Sequence, residues 1–350
     1  MSDADELPFD CDVLGAWLGR TLGWSGTINL QRIGEGHSNL TYALRVGDEE
    51  AVLRRPPRPP FPPGAHDVLR EARIMRALAS SDVPVPVVLA IAHGGEAMDV
   101  PFYVMEHLDG QVCTSTLPNA LRHEPDRHRV GEQLVDALAA LHAVDLETPG
   151  LENLGRPDGF LERQLTRLPR IIVDADGAIP PRFAQLRDAL LAELPPCGPA
   201  ALVHGDMRLG NVMLSRRAPA RILGVLDWEL TAIGDPLADL GYLLATYATP
   251  DEPPHALTAM SAATLASGFP SRTELAARYA AATGREIGAL AWYVTLALWK
   301  LAVLFEYSHR RVLAGDGDPY YSDPTLVAGL LDAAETALGN HSRPVERTMR

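Results

Sequence analysis

Between Leu202 and Leu240 the chain reads LVHGDMRLGNVMLSRRAPARILGVLDWELTAIGDPLADL, with an acid, an amide and a second acid set at short intervals between apolar runs. Val212–Leu214 and Ile222–Leu226 are short β-branched or apolar runs. The polar, Pro-containing Ser215–Arg221 between them predicts a β-hairpin. Its strands run antiparallel, which would bring Asn211, before the first strand, together with Asp227, after the second. Asp235 precedes Pro236 at the start of an apolar run, the pattern of a helix N-cap with proline at the first helical position. A structural role is expected for Asp235 and Asp239. Trp228 and Glu229 stay open between core packing and support of a site.

His204, Gly205 and Asp206 follow the strand-like Ala200–Val203, and Asn211 falls five positions beyond Asp206, the H-x-D-x-x-x-x-N spacing of kinase catalytic loops. Phosphoryl transfer leaves little covalent work to a protein. The site needs a carboxylate to orient the acceptor hydroxyl and oxygen ligands to hold Mg²⁺ against nucleotide phosphates. Asp206 fits the first task, and Asn211 with Asp227 fits the second. Singly, such residues also serve as loop acid, turn former and strand-end cap. The ordered set on a strand–loop–strand context is what points to chemistry.

HGDMRLGN and LDWELTAIGDPLADL resemble the H-G-D-x-x-x-x-N and the D-W-E followed by G-D-P-x-x-D-L of the aminoglycoside phosphotransferase family. The R-L-x-N and L-D-W-E-L wording is similar to the branch fused to acyl-CoA dehydrogenases. The resemblance implies an α+β, bilobal protein-kinase-like fold. Residues 1–106 would form a small antiparallel-sheet lobe that binds nucleotide, and residues 107–350 a larger, mainly helical lobe with the catalytic loop and acceptor site. It also implies Mg²⁺-dependent transfer of the γ-phosphate of ATP, or of GTP, to a hydroxyl of a small molecule. Asp206 and His204 would be catalytic, and Asn211 and Asp227 would hold the metal.

Composition sets the frame for this reading. The chain has 350 residues, 47% of them hydrophobic, enough for two lobes with buried cores. A formal net charge of −14 and a pI near 5.2 argue against a general nucleic-acid or anionic-membrane surface. Cys11, Cys113 and Cys197 are far apart and form no C-x-x-C pair, so neither a disulfide framework nor a zinc site is indicated, and a reducing cytoplasm is the expected setting. The acidic start MSDADELPFD has no basic flank leading into an apolar run, so no signal peptide is expected there.

Along the chain, Cys11–Leu22 places Val13, Leu14, Trp17, Leu18 and Leu22 on one helical stripe. Ile28–Ile33 alternates as a strand and leads into GEGHSNLTY, where Gly34, Gly36 and Ser38 resemble a nucleotide loop facing phosphate. Two glycines between strands are also an ordinary turn. Ala51–Arg54 reads AVLR, and alignment with the kinase V-A-I-K puts Arg54 where a lysine would hold the phosphates. The helical spacing over His66–Ala79 then offers Glu71 as the partner of Arg54, against the plainer reading of a solvated acid. The run Pro56–Gly64 can be neither helix nor inner strand.

Two further strands, within Val83–Ala92 and Pro101–Met105, would complete a five-stranded lobe. FYVMEHLDG resembles a kinase hinge, so Met105 would sit beside adenine and the main chain of Glu106–Leu108 would bond it. Helices are expected over Val130–Leu141, Phe160–Leu168, Phe183–Leu194, Pro254–Ser267 and Arg272–Ala282, and His142 reads as packed or capping rather than catalytic. Ile287–Tyr307 has 21 residues with only Lys300 and Glu306 charged, near the length that spans a bilayer. A central lysine is costly in lipid, so a buried helix of the large lobe is the better reading, with no membrane partner. Two other functions compete with small-molecule transfer: a nucleotide-binding pseudokinase, supported only by Arg54, and an aminoglycoside-modifying enzyme. The oligomeric state is not written in the sequence.

Overall fold

The computed structural model describes residues 10–34, 39–57, 66–253 and 255–341. The chain divides into two compact units. The first is Met1–Gly110 with Glu147–Glu152 and Leu223–Glu229, and the second is Gln111–Leu146, Asn153–Ile222 and Leu230–Arg350.

The first unit opens with α1 (Cys11–Leu22), capped by Asp10, whose Oδ1 accepts from Asp12 N at 2.8 Å, and stopped by Gly23 in the left-handed region at φ 74°. Leu14, Trp17 and Leu18 are buried, whereas Val13, expected on the same stripe, is 45% exposed. Val13 stands one position, about 100°, round the helix from Leu14, which turns it to water. Then come β1 (Ile28–Ile33), β2 (Leu40–Val46), β3 (Glu49–Arg55), α2 (Val68–Leu78), β4 (Val88–Ala92) and β5 (Phe102–Glu106). The strands form an antiparallel sheet of order β1-β2-β3-β5-β4. Its register sets Arg54 opposite Thr41 on one side and Tyr103 on the other. Leu14, Trp17, Leu44, Leu53, Phe102 and Val104 pack into its core.

The second unit is mainly helical. Its elements begin at β6 (Gly110–Val112), whose first residue belongs to the first unit, followed by α3 (Glu124–His142), α4 (Phe160–Arg167), α5 (Pro181–Ala192), β7 (Ala201–Val203) and β8 (Val212–Ser215); β9 (Ile222–Val225) passes into the first unit at Leu223, and β10 (Ala232–Gly234) belongs to the second. α6 (Pro236–Thr246), α7 (Arg272–Thr283), α8 (Leu290–Leu313) and α9 (Thr325–His341) complete it. β7 pairs antiparallel with β10. The turn between β8 and β9 is closed by Ser215 N donating to Arg221 O at 2.8 Å. Asp235 caps α6 through Leu237 N at 3.0 Å with Pro236 in the first turn, as its sequence position requires. In the stretch expected as a helix from 254 to 267, the described helical segment is a 3₁₀ helix, Thr258–Leu265, kinked at Ser261. Small Ala, Ser and Thr residues there supply no continuous apolar stripe to hold an α-helix.

α8 is long and apolar enough to cross a membrane by length and composition. In the structure Trp292, Tyr293, Leu296, Trp299, Ala302 and Val303 are buried in the helical core, packed with Phe160, Leu165, Phe183 and Leu330. Gly241 lets α6 approach α8 closely, since a Cβ there would lie 2.6 Å from the Tyr293 backbone. Tyr293 OH also donates to Asp235 Oδ2 at 2.7 Å, so the start of α6 is tied to the first turn of α8.

Candidate active site

In the strand-rich unit the site grows from β3 and α2. Arg54 and Arg55 are neighbours on a strand and point to opposite faces. Arg54 Nε lies 2.9 Å from Glu71 Oε2, a charge contact without hydrogen-bond alignment, and its NH2 donates to Asp227 Oδ1 at 3.0 Å. Arg55 is 2% exposed, and its Nε donates to Pro56 O at 3.0 Å. Glu71 is 1% exposed, so the solvated reading of this acid does not hold. Its carboxylate also accepts from Asn39 Nδ2 at 2.5 Å and from Tyr103 OH at 3.1 Å.

Asp227 adopts φ 67°, a left-handed conformation that costs a non-glycine residue energy. Trp228 beside it is buried and donates from Nε1 to Val225 O at 3.1 Å, which settles it as a packing residue. Glu229 turns its carbonyl to Arg70 NH1 at 3.0 Å. Carboxylate oxygens of Glu71, Asp227 and Glu229 lie within 4.8 Å of one another. Burial pushes Glu71 up, to about 7, against the pull of Arg54, and the Asp227 and Glu229 charges add to the rise. Burial works against the Arg54 charge, but Glu71, Tyr103 and Asp227 outweigh it and hold its pKa above the ordinary arginine value. Three carboxylates against one guanidinium leave an excess of hard oxygen donors, a set suited to Mg²⁺.

The hinge stretch and the glycine loop are only partly at hand. Met105 is 8% exposed on β5, and Glu106 N is committed to Val87 O at 2.8 Å. Gly34 takes φ 78°, while Gly36 and Ser38 lie outside the described residues, as does Arg58–Gly64 of the proline run.

In the helical unit the loop after β7 carries the second acid. Asn211 Nδ2 donates to Asp206 Oδ2 at 2.7 Å and to Asp206 O at 2.8 Å, so the amide five residues on fixes the carboxylate. Asp206 Oδ1 is buried with Arg208 Nε 3.3 Å away, an ion pair off the hydrogen-bond axis, and the buried Tyr242 hydroxyl, whose pKa burial and the Asp206 carboxylate raise, faces the same group. Gly205 takes φ 86°, and a Cβ there would meet Leu230 at 2.9 Å, so only glycine fits the turn between His204 and Asp206. His204 is fully buried, and its Nδ1 accepts from Asp206 N at 3.2 Å.

Asp239 braces this loop from α6. Its carboxylate accepts from His204 N at 2.6 Å and Gly205 N at 2.8 Å, and His142 Nε2 stands 3.4 Å away. Burial opposes its ionisation, but His142, His204 and the Gly205 amide hold it below the usual carboxylate range. The bracing role expected of Asp239 is therefore visible, as is the packed role of His142, whose Nδ1 is 2.7 Å from Tyr279 OH. Asn211 and Asp227, expected together, fall in different units. A cavity of the helical unit, about 970 Å³, is lined by residues such as Leu244, Ala276, Val294 and Leu298 and includes none of the acids above.

Sequence reasoning missed Asn39, which also faces His66 Nδ1 at 3.2 Å, and left Glu229 open. Neither has a local signature beyond polarity at a strand start and in the D-W-E wording.

Acyl-CoA dehydrogenase family member 10 of Mus musculus is 31% identical over 308 residues, covering 87% of this chain but 28% of its own length. The chain spans less than half the length of the curated relatives it matches. A candidate aminoglycoside phosphotransferase from Ralstonia eutropha superposes with a TM-score of 0.75 at 27% identity, covering 95% of this chain and 97% of that one. An aminoglycoside phosphotransferase in ternary complex with AMP-PNP and hygromycin B gives 0.61 at 19% identity over 93% and 98%, a likeness of fold alone. The model of the phosphotransferase enzyme family matches residues 29–292, and the chain, with its kinase-like α+β fold, belongs to that family.

Proposed function

We propose that this protein transfers the γ-phosphate of ATP to a hydroxyl of a small molecule, with Mg²⁺ as the metal. The observation that carries the reading is the Asp206 carboxylate: Asn211 Nδ2 fixes its Oδ2 and Arg208 stands 3.3 Å from its Oδ1, so a partly exposed acid is held in one orientation on the loop after β7. A carboxylate so oriented can accept the proton of an acceptor hydroxyl.

In the proposed step the acceptor oxygen forms a bond to the γ-phosphorus, the bond from that phosphorus to the β–γ bridging oxygen breaks, and its electron pair leaves with ADP. Asp206 takes the hydroxyl proton. His204 serves by holding the Asp206 amide rather than by touching the acceptor. Arg54, positioned by Glu71, presents its guanidinium to phosphate, a role its planar fork suits as well as lysine's point charge. Gly34, Gly36, Ser38, Met105 and the main chain around Glu106 and Leu108 would complete the nucleotide site. Asp227, with the acids Glu71 and Glu229 within 4.8 Å, would offer oxygens for Mg²⁺, with Asn211 retained as the other candidate ligand from the sequence; the ion would neutralise charge on the phosphates.

For the acceptor we place hydroxyacyl thioesters and other hydroxylated metabolites before antibiotics, because the relatives of known name are acyl-CoA dehydrogenase family members. GTP is the alternative donor, and the cytoplasm the expected compartment. Arg54 bonded to Asp227 is the one feature that favours a nucleotide-binding protein without turnover. A screen for ADP formation over hydroxyacyl thioesters, hydroxy acids, amino alcohols and aminoglycosides tests both. Transfer to a thioester or hydroxy acid at the highest kcat/KM supports the reading. Mg-ATP binding with no ADP formed from any acceptor would refute it in favour of the silent binder.

A further inference from the structure

The cavity of about 970 Å³ in the helical unit follows from how its helices are tethered. α7 is held to α3, where Arg278 Nε donates to Asp136 Oδ1 at 2.7 Å and Tyr279 OH lies 2.7 Å from His142 Nδ1. α9 and the end of α6 pack on α8 instead. A space therefore stays open between α7 and the other three. Its deepest lining includes Leu244 and Leu298, 3% and 5% exposed. The volume is at the upper end of the roughly 300–1,000 Å³ that small-molecule sites occupy.

On α8 the cavity is lined by Leu290, Val294 and Leu298, one turn apart on a single face, and the first two are only partly buried. α9 contributes Gly329, Ala333 and Ala337 at the same spacing, and α7 contributes Ala277. An aliphatic stripe thus borders a space that the small residues of the neighbouring helices cannot fill.

The charged groups at the rim are spent on one another. Arg272 donates to Tyr247 O at 3.0 Å and pairs with Glu252, while Asp332 pairs with Arg182, which Glu335 also holds at 2.8 Å. Three acids against two arginines leave no positive charge for an anion. His255, which also lines the cavity, is different. Its Nδ1 accepts from Leu257 N at 3.2 Å, so in the neutral ring the proton sits on Nε2, which has no partner among the described residues. Burial lowers its pKa against the pull of Glu252, which favours that neutral ring. His255 stands next to α9, its Cβ 4.0 Å from where a Cβ on Gly329 would lie.

We propose that this cavity binds a straight aliphatic chain of about ten carbons ending in an uncharged oxygen, a hydroxyl or a carbonyl. The eight residues from Leu290 to Leu298 rise by about 12 Å, which an extended chain of that length spans. The stripe covers the chain, and His255 Nε2 donates to its oxygen. A carboxylate head would meet a rim with acids in excess, and an ammonium head has no lone pair to accept from Nε2. Neither Asp206, Asn211 nor Asp239 lines the cavity, so the chain is a ligand apart from the acceptor, and the proposal stands without the phosphotransferase reading.

The test uses chains of one length and different heads. Decanol, decanone, decanoate and decylammonium are titrated into the full chain carrying carbon-13 in its Ala, Leu and Val methyl groups, and binding is followed by NMR. Decanol or decanone should bind at least about tenfold more tightly than either charged chain and shift the methyls of Val294, Leu298 and Ala333. Which of the two binds more tightly tells a hydroxyl from a carbonyl. Ala333→Phe, and Ala277→Phe at the exposed lip, should each weaken the neutral chain at least about tenfold by filling the space. His255→Phe should weaken it by about three- to tenfold, the loss of one hydrogen bond. Asp206→Asn should bind it as wild type does.

A charged chain that binds as tightly as the neutral ones, no binding of either neutral chain, or methyl shifts confined to other residues overturns the proposal. Undiminished binding in folded Ala277→Phe or in His255→Phe does the same, so a failure of Ala333→Phe to fold leaves the decision intact. Binding lost in Asp206→Asn would make the cavity part of the acceptor site and overturn it as a site of its own.

Discussion

Arg54→Ala, set beside Arg55→Ala, separates two jobs that adjacent arginines perform on opposite faces of β3. Arg54 joins Glu71 and Asp227 at 2.9 and 3.0 Å, whereas Arg55 is 2% exposed and bonds Pro56 O. Loss of a guanidinium contact to phosphate should cost about 1.5–3 kcal/mol, a roughly ten- to hundredfold rise in nucleotide Kd. The stability cost of Arg54→Ala has a ceiling. Removing one partner of a buried pair costs about 3–5 kcal/mol when the orphaned charge must stay. Glu71 can instead take up a proton, which at pH 7 costs at most about 3.4 kcal/mol from an ordinary value of 4.5.

Part of that cost is already carried by wild type, where burial has pushed Glu71 up to about 7, so the added loss should be about 1–2 kcal/mol. The sign follows from linkage. A carboxyl whose folded pKa is raised favours folding at low pH and loses that contribution as pH rises through the folded value. Arg54→Ala raises the value further, so its deficit, measured on nucleotide- and metal-free protein, should be smallest near pH 5 and grow towards pH 8. Arg55→Ala should lower stability by about 1–2 kcal/mol through a lost buried hydrogen bond and leave nucleotide Kd within about twofold. Nucleotide titration and urea melts of both variants check this. An affinity loss in Arg55→Ala with none in Arg54→Ala would refute the assignment of the β3 inner face to phosphate, and of Glu71 as its support.

Asp206→Asn should lower kcat by about 10²–10⁴ while leaving Mg-ATP Kd nearly unchanged, since it alters the proton acceptor alone; Asp227→Ala should instead weaken Mg-nucleotide binding, and equilibrium titration beside steady-state kinetics distinguishes them. Asp239→Ala strips buried partners from His204 N and Gly205 N, so it should cost about 2–4 kcal/mol in denaturant melts and reduce kcat without touching the acceptor. Lys300→Met should raise the melting temperature at pH 7, because burial disfavours the ammonium. That penalty is full below the folded pKa and fades as pH rises towards the ordinary lysine value of 10.5, so the gain should shrink at high pH.

What could be read in the sequence was local. Alternation marked β1, the apolar AVLR run marked β3, and the Asp235–Pro236 pair fixed the start of α6, because each depends on residues a few positions apart, whereas the bond from Asn211 to Asp206 was not foreseen. The Arg54–Asp227 bond joins residues 173 positions apart, and no pattern along a chain states which distant carboxylate a guanidinium will meet. The same holds for the approach of Glu229 to Glu71, and for Asn39. Composition even pointed the wrong way at Val13, where an apolar residue of the helix faces water.

Glu71 and Lys300 show what kind of exception carries meaning. Each is a charge where the helix pattern calls for an apolar residue, Glu71 on the buried face of α2 and Lys300 in the apolar run of α8. Glu71 has gathered Arg54, Asn39 and Tyr103 around itself, so the cost of its burial is largely met within the chain. Lys300 stands in the fields of Asp239 and Asp206, which oppose the burial that lowers its pKa. A charge that departs from its helix pattern is tolerated where the chain itself supplies the opposing charges, and Glu71, with Arg54 at 2.9 Å, is the closer version of that arrangement.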